Sequence, residues 1–235
     1  MTKLLILLLL VLVVALYQPV FAQEKTQPKF KLVEFQMALL KRGPNWTATK
    51  TGEHNPIRDS HYAYFQSLVE SGKAVLAGPL DDDGEIKDVY VFRSKSQDEA
   101  RAWAKDDPAV KAGHLSVEMH PWWSEEVMKS AAMPLKLAKS YLAFLTRGPK
   151  WTPEKTAATE EIQRAHLGNI KRLAEMKKLV VAGPFGDNGR LRGIFVFKVD
   201  SLEEAKALAN TDPAVQAGRL ALEIHPWLVP EGMLP

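Results

Sequence analysis

This chain is written twice, and that repetition limits its fold more than any other feature does. Arg42-Gly43-Pro44-Asn45-Trp46-Thr47 recurs as Arg147-Gly148-Pro149-Lys150-Trp151-Thr152, an offset of 105 residues. The same offset relates His61 to His166, Ala77-Gly78-Pro79 to Ala182-Gly183-Pro184, Asp107-Pro108 to Asp212-Pro213, and His120-Pro121-Trp122 to His225-Pro226-Trp227. No gap is needed, and roughly two positions in five are identical between residues 35–123 and 140–228. Self-similarity of that length is the mark of a duplicated structural unit, and each unit is large enough to bury a core of its own.

Within one copy the apolar pattern alternates between strand and helix. Residues 35–41 read as a strand ended by the Arg-Gly-Pro turn, and a polar loop with Gly52 and Pro56 leads to a helical stretch at about 57–71. Tyr62, Phe65, Leu68 and Val69 fall there at helical spacing. Residues 73–77 form a short strand stopped by Gly78-Pro79, and Asp81-Asp82-Asp83-Gly84 turns the chain into a strand at 87–93. Ser96 and Ser201 each head a second helix, with Glu99 and Glu204 three residues on as capping boxes. A last strand covers 114–120, so that His120 and His225, each before a proline, are held extended at a strand end.

The order strand, helix, strand, strand, helix, strand is that of the ferredoxin-like α+β unit. Its sheet is covered by helices on one face only, so two tandem units are expected to pack sheet against sheet. The result is an intramolecular pseudo-dimeric α+β barrel, with further oligomerisation left open. The divisions expected are a signal peptide at 1–22, one repeat at 30–123, a linker at 124–139 and a second repeat at 140–228. The apolar residues of the linker suggest a helix that packs.

Lys3, the apolar run Leu4–Leu16 and Val20-Phe21-Ala22 before polar sequence read as a secretory leader. An apolar core of about 13 residues is short for a membrane span, which needs roughly 20. The mature chain is expected to start near Gln23 and to work in the periplasm or outside the cell, without a membrane partner once the leader is removed. There is no cysteine, so neither a disulfide framework nor a thiolate nucleophile is available. The formal charge of +3 is spread through mixed-sign sequence, which argues against nucleic acid as a partner. Neither a glycine-rich nucleotide loop nor a zinc-type spacing occurs, and no cofactor or metal is expected.

The polar residues that recur are the candidates for chemistry. His61 and His166 sit near the start of the first helix, where the macrodipole favours a neutral imidazole. Asp107 and Asp212 end the second helix. An aspartate that accepts one ring N–H fixes the tautomer and leaves the other nitrogen to take a proton. Such pairs suit general acid–base work such as proton abstraction or elimination. The simpler reading is that each aspartate only caps its own turn. Arg42, Trp46, Arg147 and Trp151 are candidate binding residues, because the tryptophans lie in the loop opening on the first helix and could wall a pocket. Core packing is the other use of such a ring.

With these residues in view, each copy resembles the YCII-related (YciI-like) family. The resemblance rests on Gly-Pro-x-Trp-Thr after the first strand, His166-Leu167 followed by Leu173, Val181-Ala182-Gly183-Pro184, Ser201-Leu202-Glu203-Glu204-Ala205, Asp212-Pro213-Ala214-Val215-x-Ala217-Gly218, and Glu223-Ile224-His225-Pro226-Trp227. It implies a ferredoxin-like unit that pairs into an α+β barrel, with a His–Asp site at His61 with Asp107 and at His166 with Asp212. It also implies lyase-type chemistry on small hydroxylated aromatics. Asp59-Ser60-His61-Tyr62 differs from Arg164-Ala165-His166-Leu167, which leaves room for one degenerate site. Two functions are therefore carried forward. One is an exported, cofactor-independent lyase or isomerase acting on a small molecule; the other is a non-catalytic module that binds a small molecule in the barrel interior.

Overall fold

A computed structural model describes residues 29–48 and 55–235. The leader expected at 1–22 and Gly52 of the first long loop lie outside the described residues. The first copy runs β1 (Leu32–Arg42), α1 (Pro56–Glu70), β2 (Ala74–Pro79), β3 (Ile86–Phe92), α2 (Gln97–Lys105), a single turn α3 (Pro108–Lys111) and β4 (Leu115–Glu125). The second repeats it as β5 (Leu137–Arg147), α4 (Ala157–Glu175), β6 (Leu179–Pro184), β7 (Leu191–Phe197), α5 (Leu202–Ala209), α6 (Pro213–Gln216) and β8 (Leu220–Pro230). Each copy folds into an antiparallel four-stranded sheet, ordered β2-β3-β1-β4 and β6-β7-β5-β8, as the ferredoxin-like reading requires. Ser96 and Ser201 accept the backbone N–H of Glu99 and Glu204, both at 3.1 Å. The glutamates reach back one residue beyond the cap, to the N–H of Lys95 and Asp200.

The central strands are apolar on both faces because they serve two cores. Successive side chains of a strand point to opposite sides. Leu142 and Phe144 of β5, with Ile194 and Val196, join the apolar residues of the first copy. Tyr141, Ala143 and Leu145, with Phe195 and Phe197, pack beneath Leu173, Ala205 and Ala209 of the helices. The space between the sheets is thus filled by side chains from both copies, and the copies share one core.

The His-Pro-Trp repeat closes the barrel. β4 does not end at His120 as expected but continues through Pro121 to Glu125, paired with β1 as far as Leu32. Proline is tolerated because β4 is the edge of its sheet and no ladder bond is lost. The Pro121 carbonyl accepts the N–H of Gly186 at 2.9 Å, and the Pro226 carbonyl accepts that of Asp81 at 2.9 Å. Trp122 and Trp227, both fully buried, donate their indole N–H to the carbonyls of Gly183 (3.1 Å) and Gly78 (2.9 Å) of the other copy. His120 hydrogen-bonds Asp187, and His225 hydrogen-bonds Asp82, again across the seam. Glycine is required at the two partner positions: a Cβ on Gly78 would lie 1.8 Å from the Leu228 carbonyl, and one on Gly183 would lie 1.7 Å from that of Trp123.

The linker is not a helix. Residues 124–125 complete β4, 137–139 begin β5, and the segment between is irregular. Pro134 offers no N–H to a helix, and the backbone finds partners elsewhere. Lys129 N–H donates to the Met233 carbonyl (3.0 Å), Ala132 N–H to that of Glu231 (2.7 Å), and Glu231 N–H to that of Lys136 (2.8 Å). The packing part of the expectation holds, since Val127, Met128, Ala131 and Leu135 lie against the shared core.

Candidate functional site

Each recurring aspartate is both cap and orienter, so the two readings of the sequence are not alternatives. Asp107 and Asp212 precede a proline at the first position of a one-turn helix, where the free backbone N–H groups ask for an acceptor. One carboxylate oxygen takes that role: Oδ1 of Asp107 accepts the Ala109 N–H at 2.8 Å, and Oδ1 of Asp212 the Ala214 N–H at 2.9 Å. The other oxygen faces the first helix of the copy, where Oδ2 lies 2.7 Å from His61 Nδ1 and 2.8 Å from His166 Nδ1. Both aspartates are wholly buried. A buried carboxylate that spends one oxygen on the backbone and one on the ring cannot rotate away, and it dictates which imidazole nitrogen carries hydrogen.

The two pairs differ at the other ring nitrogen. His61 Nε2 lies 3.4 Å from Oδ2 of Asp88, a second buried carboxylate. Burial presses the His61 pKa down, but the hydrogen bonds and charges of Asp107 and Asp88 outweigh it and raise it to about 10. The expectation that the macrodipole keeps this imidazole neutral fails, because two carboxylates in direct contact exceed the partial charge of a helix end. Tyr90 stacks its ring on His61 at 6.3 Å. Its buried hydroxyl lacks a hydrogen-bond partner among the described residues, and burial pushes its pKa well above the ordinary phenol value.

In the second copy the positions of Asp88 and Tyr90 are Gly193 and Phe195. Phe195 stacks on His166 at 5.9 Å, and His166 Nε2 meets no hydrogen-bonding group among the described residues. The helix macrodipole does not govern this residue either. α4 begins at Ala157, more than two turns before His166, and the field fades within the first turn.

Beside His166 lies a cavity of about 760 Å³, bounded by α4, the loop before it, β6 and β7, with the tail of β4 from the other copy closing one side. It exists because α4 packs down on the sheet only late in its length: its buried residues are Asn169 and Leu173. In the first copy Phe65 is buried where the second has the half-buried Ile170. His166, Trp151, Arg192, Gly193, Ile194 and Phe195 are among the walls.

Of the four candidate binding residues, Trp151 lines this cavity. Arg147 lies behind it, its guanidinium 4.0 Å from the indole centroid and hydrogen-bonded to the Asn188 carbonyl. Arg42 and Trp46 brace the first copy: Arg42 donates to the Asp83 carbonyl at 2.8 Å, and Trp46 packs on His114 at 4.6 Å between ring centroids. His120 and His225, held extended ahead of their prolines, belong to the seam. Sequence reasoning passed over Arg192, Gly193 and Asp88. The signal for them was the one place where the copies exchange a carboxylate for a glycine opposite the histidine.

Comparison with known proteins agrees with this architecture. The YCII-related domain matches twice, at residues 36–123 and 141–228. The chain is 36% identical over 76 residues to the uncharacterized protein YjpA of Bacillus subtilis (strain 168), a stretch covering 31% of this chain and 87% of that protein. Among solved structures, it is similar to a mutant chlorite dismutase from Candidatus Nitrospira defluvii, with a TM-score of 0.52 and 13% identity over 88% of this chain and 94% of that one. A similar likeness, with a TM-score of 0.50 and 14% identity, relates it to a monooxygenase-like protein from Lactobacillus acidophilus NCFM over 86% of this chain and 99% of that one. Identities this low speak to the fold alone, and one fold hosts many chemistries.

Proposed function

Because the chain belongs to the YCII-related family in both of its halves, and because that fold leaves the chemistry to individual side chains, we propose that its second copy is a general acid–base centre. The reading is a lyase or isomerase of a small molecule. One observation carries it: His166 is locked through Nδ1 to the buried Asp212, while its Nε2 meets no hydrogen-bonding group among the described residues and the ring lies at a cavity wall. With Nδ1–H donated to Asp212, the lone pair of the base form sits on Nε2. A substrate C–H or O–H brought to that nitrogen loses its proton to the ring, and the Asp212 carboxylate stabilises the imidazolium that forms. The proton then returns to the product or to a leaving group, which completes an isomerisation or an elimination without a covalent enzyme intermediate.

In this reading the first copy is a scaffold. His61 is held between two carboxylates as a cation, and a protonated imidazole accepts no proton. The leader pattern at residues 1–22 supports an exported protein, which intact-mass measurement of the mature chain would check by a start at Gln23.

The test is proton exchange. Small enolisable and hydroxylated aromatic compounds are incubated with the protein in D₂O and followed by NMR. Exchange should be catalysed by the wild type, lost in His166→Gln with the melting temperature preserved, and retained in His61→Gln. Exchange that survives in His166→Gln overturns the proposal.

A further inference from the structure

Arg192 sits on the same cavity wall with no acceptor for its guanidinium among the described residues. Its Nη1 is shut from solvent and makes no hydrogen bond, and no other atom of the group donates one among the described residues. None of the acids nearby pairs with it. Asp187 spends its carboxylate on His120 and on the Gly189 N–H; Glu125, half-buried on the β4 side of the cavity, and the exposed Glu154 and Glu160 make no hydrogen bond to the guanidinium; Arg219, another cation along the cavity, donates to Thr152. A second cation, Arg147, shares the Trp151 ring at 4.0 Å, with Arg192 at 5.8 Å. Burial and the charge of Arg147 press the Arg192 pKa down, and the charge of Asp187 offsets only part of that. Its counterpart in the first copy, Lys87, is satisfied by the Asp82 carbonyl at 2.6 Å. A partly desolvated arginine without an acceptor is costly to keep unless something outside the chain compensates it.

The backbone explains why this cation faces the cavity. The β5–β7 ladder pairs Leu145 with Gly193 and Thr146 with Leu191, which leaves Arg192 as the extra residue of a β-bulge. Bulges of this kind re-aim a side chain, and Arg192 and Gly193 accordingly line the cavity together. In the first copy the imidazole Nε2 faces Asp88, the counterpart of Gly193. At the same offset Gly193 takes the place of Asp88, and His166, Arg192 and Gly193 all line the one cavity.

We propose that this cavity takes a small carboxylate with a flat apolar body, its anionic group held by the Nε and Nη2 edge of Arg192, which unlike Nη1 is open to solvent, and its body against Trp151 and Ile194. A guanidinium matches a carboxylate with two parallel hydrogen bonds, which an ammonium does not. The inference names the substrate class for the acid–base reading, and it depends on that reading only for the proton transfer after binding.

The test uses the mature wild-type chain and ligand-observed NMR titration with benzoate, phenylacetate and cinnamate, each against its neutral amide. At least one acid should bind roughly tenfold more tightly than its amide. Arg192→Gln should erase that preference while leaving the melting temperature nearly unchanged, because the guanidinium makes no hydrogen bond among the described residues and lies 5.8 Å from the Trp151 ring centroid. Arg192→Lys should retain part of it. Acid and amide binding alike in every pair, or a preference that persists in Arg192→Gln, overturns the proposal. His166→Gln separates the two ideas: it should keep the acid preference while losing proton exchange. Exchange surviving in that variant defeats the acid–base role but not the ligand class.

Discussion

At the scale of single residues, the two histidines show how one neighbour decides a role. His61 and His166 have the same partner on Nδ1, yet only His61 has a carboxylate on Nε2. A histidine whose folded pKa is raised stabilises the protein below the ordinary imidazole range, and that contribution is lost as pH climbs toward about 10. Thermal melts should therefore fall between about pH 7 and pH 10, and Asp88→Asn should lower the His61 titration and flatten the fall; an unchanged melt profile contradicts the pairing. Asp212→Asn separates cap from orienter. The amide oxygen can still cap Ala214, but it cannot at once hold the ring in the same tautomer. Exchange activity should drop by on the order of 10³ to 10⁴, a loss measured by the same D₂O assay, while the fold survives.

At the scale of elements, the same strand end does two jobs. The Ala-Gly-Pro ends of β2 and β6 read in sequence as stops, but they are where the other copy's backbone passes close enough to exclude any side chain. Gly183→Ala should cost on the order of 3 kcal/mol, read from urea unfolding midpoints, whereas Gly168→Ala, with open space around the added methyl, should be neutral or mildly stabilising. α4 shows the opposite economy: its loose first half leaves apolar surface uncovered, and that gap is the cavity.

At the scale of the molecule, the seam makes the duplication a single cooperative body. Trp122 and Trp227 are buried in the other copy's strand ends, and the His–Asp pairs cross beside them. Calorimetry should show one unfolding transition with matching van't Hoff and calorimetric enthalpies. Trp227→Ala should cost roughly 3–5 kcal/mol and destabilise both copies together. Two separated transitions would mean that the halves fold independently.

The amino-acid sequence by itself determined the duplication and the order of the main elements, and it offered the His–Asp pairing beside a purely capping role for each aspartate. These arise from local pattern and from repetition at a constant offset, and repetition reports a shared fold directly. The ends of β4 and β8 were misjudged because proline marks a strand's end only when its missing N–H matters, and at a sheet edge it does not. The linker was misjudged because its backbone partners are residues 231–233, about a hundred positions away in the chain. Only the tertiary structure could show that Asp88 occupies His61, that His166 lies at a cavity wall beside Gly193, and that Arg192 stands on that wall without an acceptor among the described residues. Each depends on which side chains from distant segments meet, and a one-residue bulge is enough to turn one of them.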